Sequence, residues 1–130
     1  METFAMHKMA MVAPRKCRMT LDLIRGKDIV TAENILKNTN TKSSGLILKV
    51  LNSAVANAEN NLELKKENLV ISECFINPGP VLKRIKFGSR TKVDRRDKRT
   101  SHITVKVKEA PAKTKKAAAP KAEKQEKEEA

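Results

Sequence analysis

Residues 43–60 read SSGLILKVLNSAVANAEN, and the rest of the predicted fold is built around this stretch. Its large apolar residues cover more than half of a helix circumference in the first turns, and small Ala54 and Ala58 follow. This pattern predicts a central core helix over residues 43–60. Burial of about five large aliphatic side chains contributes on the order of 10 kcal/mol before chain entropy is counted. We therefore expect this helix to be the main source of stability.

Strands are predicted on the C-terminal side of this helix. Residues 69–76 are apolar and β-branched, and residues 100–108 alternate, with Ile103, Val105 and Val107 on one face. Such alternation is typical of a half-buried strand. We expect the two segments to pair as an antiparallel hairpin, and we expect a third strand over about residues 3–11.

Two shorter helices are predicted on the N-terminal side. The first runs from Pro14, which suits a first helical turn, to Gly26, which suits a C-terminal stop. The second is predicted around residues 31–38, with Thr31 as its N-cap. In the first helix, Cys17, Leu21 and Ile24 form the predicted buried face. A different arc of the same helix carries Arg15, Arg18, Asp22 and Arg25. That basic arc fits a solvated surface and a phosphate-binding surface equally well.

The net positive charge of the chain is concentrated in two segments. The 130 residues include 28 Lys and Arg against 15 Asp and Glu, a net charge of +13. Residues 7–27 carry a net +5 and residues 83–99 a net +7, from nine cations and two aspartates, whereas residues 28–82 carry a net −1. A charge this large on a small chain favours a polyanionic partner, and nucleic acid is the commonest.

Residues 77–99 carry the functional prediction. The turn-forming residues 77–80, NPGP, are expected to end the first strand, and too few apolar residues follow to form a separate core. A loop of this length without structure is unusual, so we favour an extended two-stranded arm with its tip at Gly88-Ser89. Ten residues per strand would reach roughly 30 Å. Such a ribbon is marginal in water, which favours a structure completed by phosphates.

Several function classes are disfavoured by the sequence. No apolar run is long enough for a membrane helix, and the N-terminus lacks the apolar core of a signal peptide. His7 and His102, with Cys17 and Cys74, lack zinc-site spacing, so no metal, cofactor or catalytic residue is predicted and the thiols are expected to be reduced and packed. The absence of Trp and Tyr disfavours an aromatic RNA-reading platform. Residues 110–130, rich in Lys, Ala, Glu and Pro, are predicted to form a disordered tail.

Four motifs in order resemble one known family. They are DLIRGK at residues 22–27, SAVANAE at 53–59, Gly79-Pro80 followed by Lys83-Arg84-Ile85, and KRTSHITV at 98–105. Over about residues 2–108 the chain resembles the L-twenty-two family of bacterial large-subunit ribosomal proteins, whose long hairpin lines the nascent-peptide exit tunnel. The resemblance implies an α+β fold with three helices packed on a small three-stranded antiparallel sheet. It also implies one RNA-binding domain over residues 1–109, including an extended arm at about 77–101, and a separate tail.

The resemblance implies partners and site residues as well. The partners would be large-subunit ribosomal RNA, neighbouring ribosomal proteins and the nascent peptide, with no membrane, and the protein would be a cytoplasmic monomer within the particle. The implied RNA-binding residues are Arg15, Lys16, Arg18, Arg25, Lys27, Lys83, Arg84, Lys86, Arg90, Lys92, Arg95, Arg96, Lys98 and Arg99. The implied tunnel-facing tip comprises Ile85, Lys86, Phe87, Gly88, Ser89, Arg90, Thr91 and Lys92.

Two other functions remain open on the residues alone. An architectural DNA-binding protein also combines a helical body with basic β-arms, and Phe87 would serve as the apolar wedge at the arm tip. A free RNA chaperone would bind many RNAs weakly through its arm and tail. Competition between ribosomal RNA and bent DNA at matched salt separates the first from the ribosomal interpretation, and RNA crosslinking in cells separates the second.

Overall fold

Three strands and three long helices make up the computed structural model, which describes residues 2–110. The predicted disordered tail lies outside the described residues from position 111 onward. In chain order the elements are β1 (Glu2–Ala10), α1 (Pro14–Asp22), α2 (Ile29–Asn38), α3 (Lys42–Leu62), β2 (Leu69–Phe87) and β3 (Val93–Glu109), with short 3-10 turns at Lys66–Asn68 and Ser89–Thr91.

The strands form one antiparallel sheet in the order β1-β3-β2. The register places Ala5 of β1 and Cys74 of β2 on either side of Val105 in the central strand. On β3 the side chains of Ile103, Val105 and Val107 are buried beneath the helices, because alternate residues of a strand point to the same face. The predicted α+β fold of three helices and a three-stranded antiparallel sheet is confirmed.

Helix α3 lies at the centre of the core, as predicted. It contacts β1, β3, α1 and α2, and Ile47, Leu51 and Ala54 are completely buried. The helix begins with a side-chain cap, since the Thr41 hydroxyl accepts a hydrogen bond from the Ser44 backbone N–H at 3.2 Å. Such a cap satisfies one of the free N–H groups of the first turn.

The boundaries of the first two helices differ from the predictions. Helix α1 ends at Asp22, and tight turns carry the chain on through Gly26, whose φ is +69°. Helix α2 begins at Ile29, with Asp28 in the N-cap position, so the prediction of Thr31 as N-cap was wrong. The reason is packing: Ile29 and Ala32 are both buried in the core, which draws the earlier residues into the helix.

The prediction that residues 77–80 end the first strand was also wrong. Strand β2 continues through Pro78 and Pro80 to Phe87, with a register shift between Pro78 and Val81. Because β2 is an edge strand with a partner on one side only, a proline there need not donate a ladder hydrogen bond. The Thr100 hydroxyl donates to the Pro80 carbonyl at 2.6 Å and holds the irregular segment in place.

The two cysteines are free and buried, as predicted. Burial raises the pKa of the Cys17 thiol, against a smaller opposing effect of its contact with the Ser101 hydroxyl at 3.8 Å. Burial also raises the pKa of Cys74. Within residues 2–110, no helix is long and apolar enough to cross a bilayer, and no three potential metal ligands converge.

Candidate nucleic-acid interface

The distal halves of β2 and β3 form a ribbon that extends beyond the helices. Seven residue pairs, from Val81 opposite Arg99 to Phe87 opposite Val93, continue the antiparallel register. At ~3.3 Å per residue this ribbon is about 23 Å long. The chain reverses at residues 88–92, where the Gly88 N–H donates to the Lys92 carbonyl at 2.8 Å. The predicted tip at Gly88-Ser89 therefore coincides with the turn, and we call residues 81–99 the arm.

The register divides the arm into two faces, because residues directly opposite each other point to the same side. The cationic face carries Leu82, Arg84, Lys86, Asp94, Arg96 and Lys98. The mixed face carries Val81, Lys83, Ile85, Phe87, Val93, Arg95, Asp97 and Arg99. All side chains from residue 83 to 99 are exposed, so neither face is covered by the body.

Two arginines oppose each other directly on the cationic face. Arg84 pairs with Arg96 in the register, and neither belongs to any ion pair within the described part of the chain. Like charges directly opposite on neighbouring strands destabilise a sheet. The pair is therefore suited to an anion held between the two guanidinium groups, such as a phosphate.

One of the two acidic residues of the arm is already bonded to a cation. Asp97 accepts two hydrogen bonds from Arg95, at 2.7 and 3.2 Å, and lies opposite Lys83. Asp94 lies opposite Lys86. Two aspartates offset only part of the charge of the nine arm cations, so the excess positive charge of the arm remains available to a polyanion.

Phe87 lies at the distal end of the mixed face. Its side chain is 81% exposed, so it does not pack against the arm. Ile85 and Val93 are exposed on the same face. The arm thus presents an apolar end on one face and a cationic surface on the other.

Two predicted RNA-binding residues of the body also have a structural role. Arg18 donates to the Ile76 carbonyl at 3.2 Å, and Arg25 donates to the Cys74 carbonyl at 3.3 Å. Both acceptors lie on the edge strand β2, and the backbone of Lys27 covers the same edge by accepting from the Ile71 N–H at 3.1 Å. Exposed strand edges invite pairing with other chains. Arg18 of α1 and Arg25 of the turn that follows therefore protect the sheet edge, a role that the sequence did not predict.

Other charges of the body are neutralised locally. Lys106 forms an ion pair with Glu73 at 2.7 Å, which lowers the pKa of Glu73 and raises that of Lys106. Lys66 and Glu33 form a second pair at 2.6 Å. These pairs contrast with Arg84 and Arg96 of the arm, which form no ion pair within the described residues.

The base of the arm brings separate basic segments together. Lys16 of α1 and the arm residues Lys98 and Arg99 line one hollow, which the structure shows next to the start of α3. Lys42 lines the same hollow. Charge patterning did not point to Lys42, because this residue lies in the nearly neutral segment of residues 28–82.

The chain matches the model of a known protein family. The family described as Ribosomal protein L22p/L17e matches residues 5–108, which include all three helices and the whole arm. The chain belongs to this family. Members are structural proteins of the large ribosomal subunit, located in the cytoplasm, and are not enzymes. The predicted family resemblance is thereby confirmed.

Proposed function

We propose that the chain binds large-subunit ribosomal RNA through the arm and the basic surface of the body, and that it fixes the relative position of RNA segments. The opposed pair of Arg84 and Arg96 carries this proposal. A ribbon without a core is marginally stable in water, and the like charges of Arg84 and Arg96 facing each other across its strands weaken it further, so an anion bound between them would stabilise it. Closely spaced RNA phosphates supply such charge.

The interface in this proposal recognises shape and phosphates. Arginine and lysine bind phosphate oxygens without reading base identity, and such contacts set register and orientation. The body would contribute Arg15, Lys16, Arg18, Arg25 and Lys27, and the arm Lys83, Arg84, Lys86, Arg90, Lys92, Arg95, Arg96, Lys98 and Arg99. Arg18 and Arg25 retain exposed guanidinium groups, so a phosphate contact is compatible with their bonds to β2. Residues 1–109 would then act as one RNA-binding unit.

The family membership supports a more specific placement of the arm tip. We place residues 85–92 at the wall of the nascent-peptide exit tunnel, with the body in contact with neighbouring ribosomal proteins. The exposed Phe87 and the compact turn at residues 88–92 are consistent with a tip that meets a passing peptide or a nucleobase.

The salt dependence of RNA binding tests the proposal. If six to ten cations contact phosphates, affinity falls by about 10³ to 10⁵ between 50 and 200 mM salt. In the double variant Arg84→Gln, Arg96→Gln, that fall is expected to be about tenfold smaller, because two contacts are lost. The measurement is the affinity of the full chain for large-subunit RNA across this salt range, together with its incorporation into particles.

A matched double variant serves as the control. Lys49→Gln with Lys65→Gln removes two exposed cations of the body outside both basic segments, and its salt dependence should equal that of the wild type. Equal effects of the two double variants would contradict the proposed role of the arm. Bent DNA that competes as well as ribosomal RNA at matched salt would instead support the architectural DNA-binding alternative.

A further inference from the structure

A hollow lies where the arm joins the body. It has a volume of about 310 Å³, and its walls include Met11, Lys16 and Lys42 from the body and Asp97, Lys98 and Arg99 from the arm. We call it the junction hollow. This volume is at the small end of the range for sites that hold small ligands, about 300 to 1,000 Å³.

The junction hollow carries an uncompensated positive charge. Four cations and one carboxylate line it, a net charge of +3. The carboxylate, Asp97, is bonded to Arg95, outside the hollow, at 2.7 and 3.2 Å. Among residues 2–110, none of the four cations forms an ion pair. The four cations therefore raise the local potential, and Asp97 offsets only part of their charge.

Two helix starts add to this potential. Lys16 lies in the first turn of α1, and Lys42 is the first residue of α3. The partial positive charge of a helix N-terminus adds to nearby cations within the first turn. The four side chains and the two helix ends together favour an anion in this hollow.

A second hollow of similar size lacks the net positive charge of the junction hollow. It has a volume of about 260 Å³ and is lined by Glu33, Lys37, Glu59 and Lys66, among others, so that its charges cancel. Lys66 and Glu33 are ion-paired across it. Two hollows of similar size thus differ in charge, and only the junction hollow is suited to a polyanion.

We propose that the junction hollow binds phosphodiester groups of an RNA strand that passes between the body and the arm. The inference rests on the proposed function, because it assumes that the arm lies against RNA. The exposed side chain of Met11 offers an apolar contact for the attached ribose or base. Since Lys16 and Lys42 belong to the body and Lys98 and Arg99 to the arm, a bound phosphate also cancels their repulsion and holds the arm at a fixed angle.

The substitution Lys42→Gln tests the proposal in the full chain. Lys42 is exposed, and glutamine has a helix propensity similar to that of lysine, so the fold should be retained. Loss of one phosphate contact makes the fall in RNA affinity between 50 and 200 mM salt about threefold smaller. Lys37→Gln, in the neutral hollow, is the matched control and should behave like the wild type. Lys98→Gln combined with Lys42→Gln should reduce the fall about tenfold.

The outcomes separate this inference from the proposed function. If the wild type binds large-subunit RNA with a steep salt dependence but Lys42→Gln behaves like Lys37→Gln, the junction hollow is not a phosphate site and the proposed function stands. If the wild type shows no salt-dependent RNA binding, the proposed function fails first. If inorganic phosphate at constant ionic strength protects Lys42 from acylation while RNA does not, the occupant is free phosphate and the inference is overturned.

Discussion

The same two strands build the body and the arm, yet the two regions are stabilised in different ways. In the body, helices cover β2 and β3, and the side chains of Ile103 and Val105 are completely buried between the sheet and the helices. In the arm, every side chain from residue 83 to 99 is exposed. The backbone pairing is continuous across the two regions, so the difference lies in what covers the strands.

Charge follows the same division. In the body, Arg25 is bonded to Asp22 and to the edge of β2, and Lys106 to Glu73. In the arm, Arg84 lies opposite Arg96. These body cations are thus bonded within the chain, whereas Arg84 and Arg96 of the arm face each other without a counter-charge between them.

The largest expected difference between the two regions is the loss of stability when one isoleucine in each is replaced by alanine. Ile47→Ala removes a completely buried side chain of α3 and should lower the free energy of unfolding by about 2–5 kcal/mol, through lost burial and the cavity left behind. Ile85→Ala in the arm removes a side chain that is 69% exposed, and should change stability by less than about 0.5 kcal/mol. Urea unfolding of both variants measures this difference in the free energy of unfolding. Equal losses in the two variants would contradict the prediction.

This contrast was largely predictable from the sequence. The apolar pattern of residues 43–60 identified α3 within two residues at each end, and the alternation of residues 100–108 identified the buried face of β3. Both features follow from periodicity over many residues, which is a strong local signal. The arm was predicted for the opposite reason, because residues 83–99 have too few apolar side chains to form a core.

A substitution at the joint between the body and the arm is expected to lower stability by a smaller amount. At Gly79, an added Cβ would lie 2.5 Å from the Thr100 hydroxyl and 3.3 Å from the Thr100 backbone. Gly79→Ala should therefore lower stability by about 1–3 kcal/mol through overpacking. Stability, measured by thermal or urea unfolding, should therefore decline. RNA affinity should decline as well, since this segment sets the direction of the arm.

Gly45 is the matched control for this prediction. It lies on the exposed side of α3, where an added Cβ meets no atom within 4 Å. Gly45→Ala should raise stability by about 0.5–1 kcal/mol, because alanine is the better helix former. A neutral or stabilising Gly79→Ala would show that the strand can shift at the joint, and that the close approach of Thr100 is not required.

The joint also shows what the sequence could not reveal. Pro78 and Pro80 were interpreted as strand breakers, because edge position depends on the order of strands in the sheet and not on local sequence. Likewise, the bonds of Arg18 and Arg25 to β2 join residues about 50 to 60 positions apart. Lys42 lines the junction hollow only because the fold places it beside the base of the arm. Each of these features depends on tertiary contacts.

The smallest expected effect is also the most specific to the arm. Arg96→Glu places a carboxylate opposite Arg84, so it replaces a like-charge pair by an ion pair. An opposite-charge pair across strands contributes about 0.2–1 kcal/mol. Amide hydrogen exchange over residues 81–87 should therefore slow in the free protein, while global unfolding stays unchanged because the arm opens locally. RNA affinity should fall in the same variant, since a phosphate contact is replaced by repulsion.

Opposite signs in the two measurements are the decisive feature of Arg96→Glu. Stability and binding usually decline together when a variant damages the fold, so a more stable arm that binds RNA less well cannot arise from misfolding. Arg95→Glu is the control, because it removes the bond to Asp97 and places its charge directly opposite Ile85, an apolar residue, and not opposite an arginine. It should weaken binding without slowing exchange. Faster exchange in Arg96→Glu would mean that Arg84 and Arg96 do not repel each other in the free arm, and the arm would then resemble the body in needing no external charge.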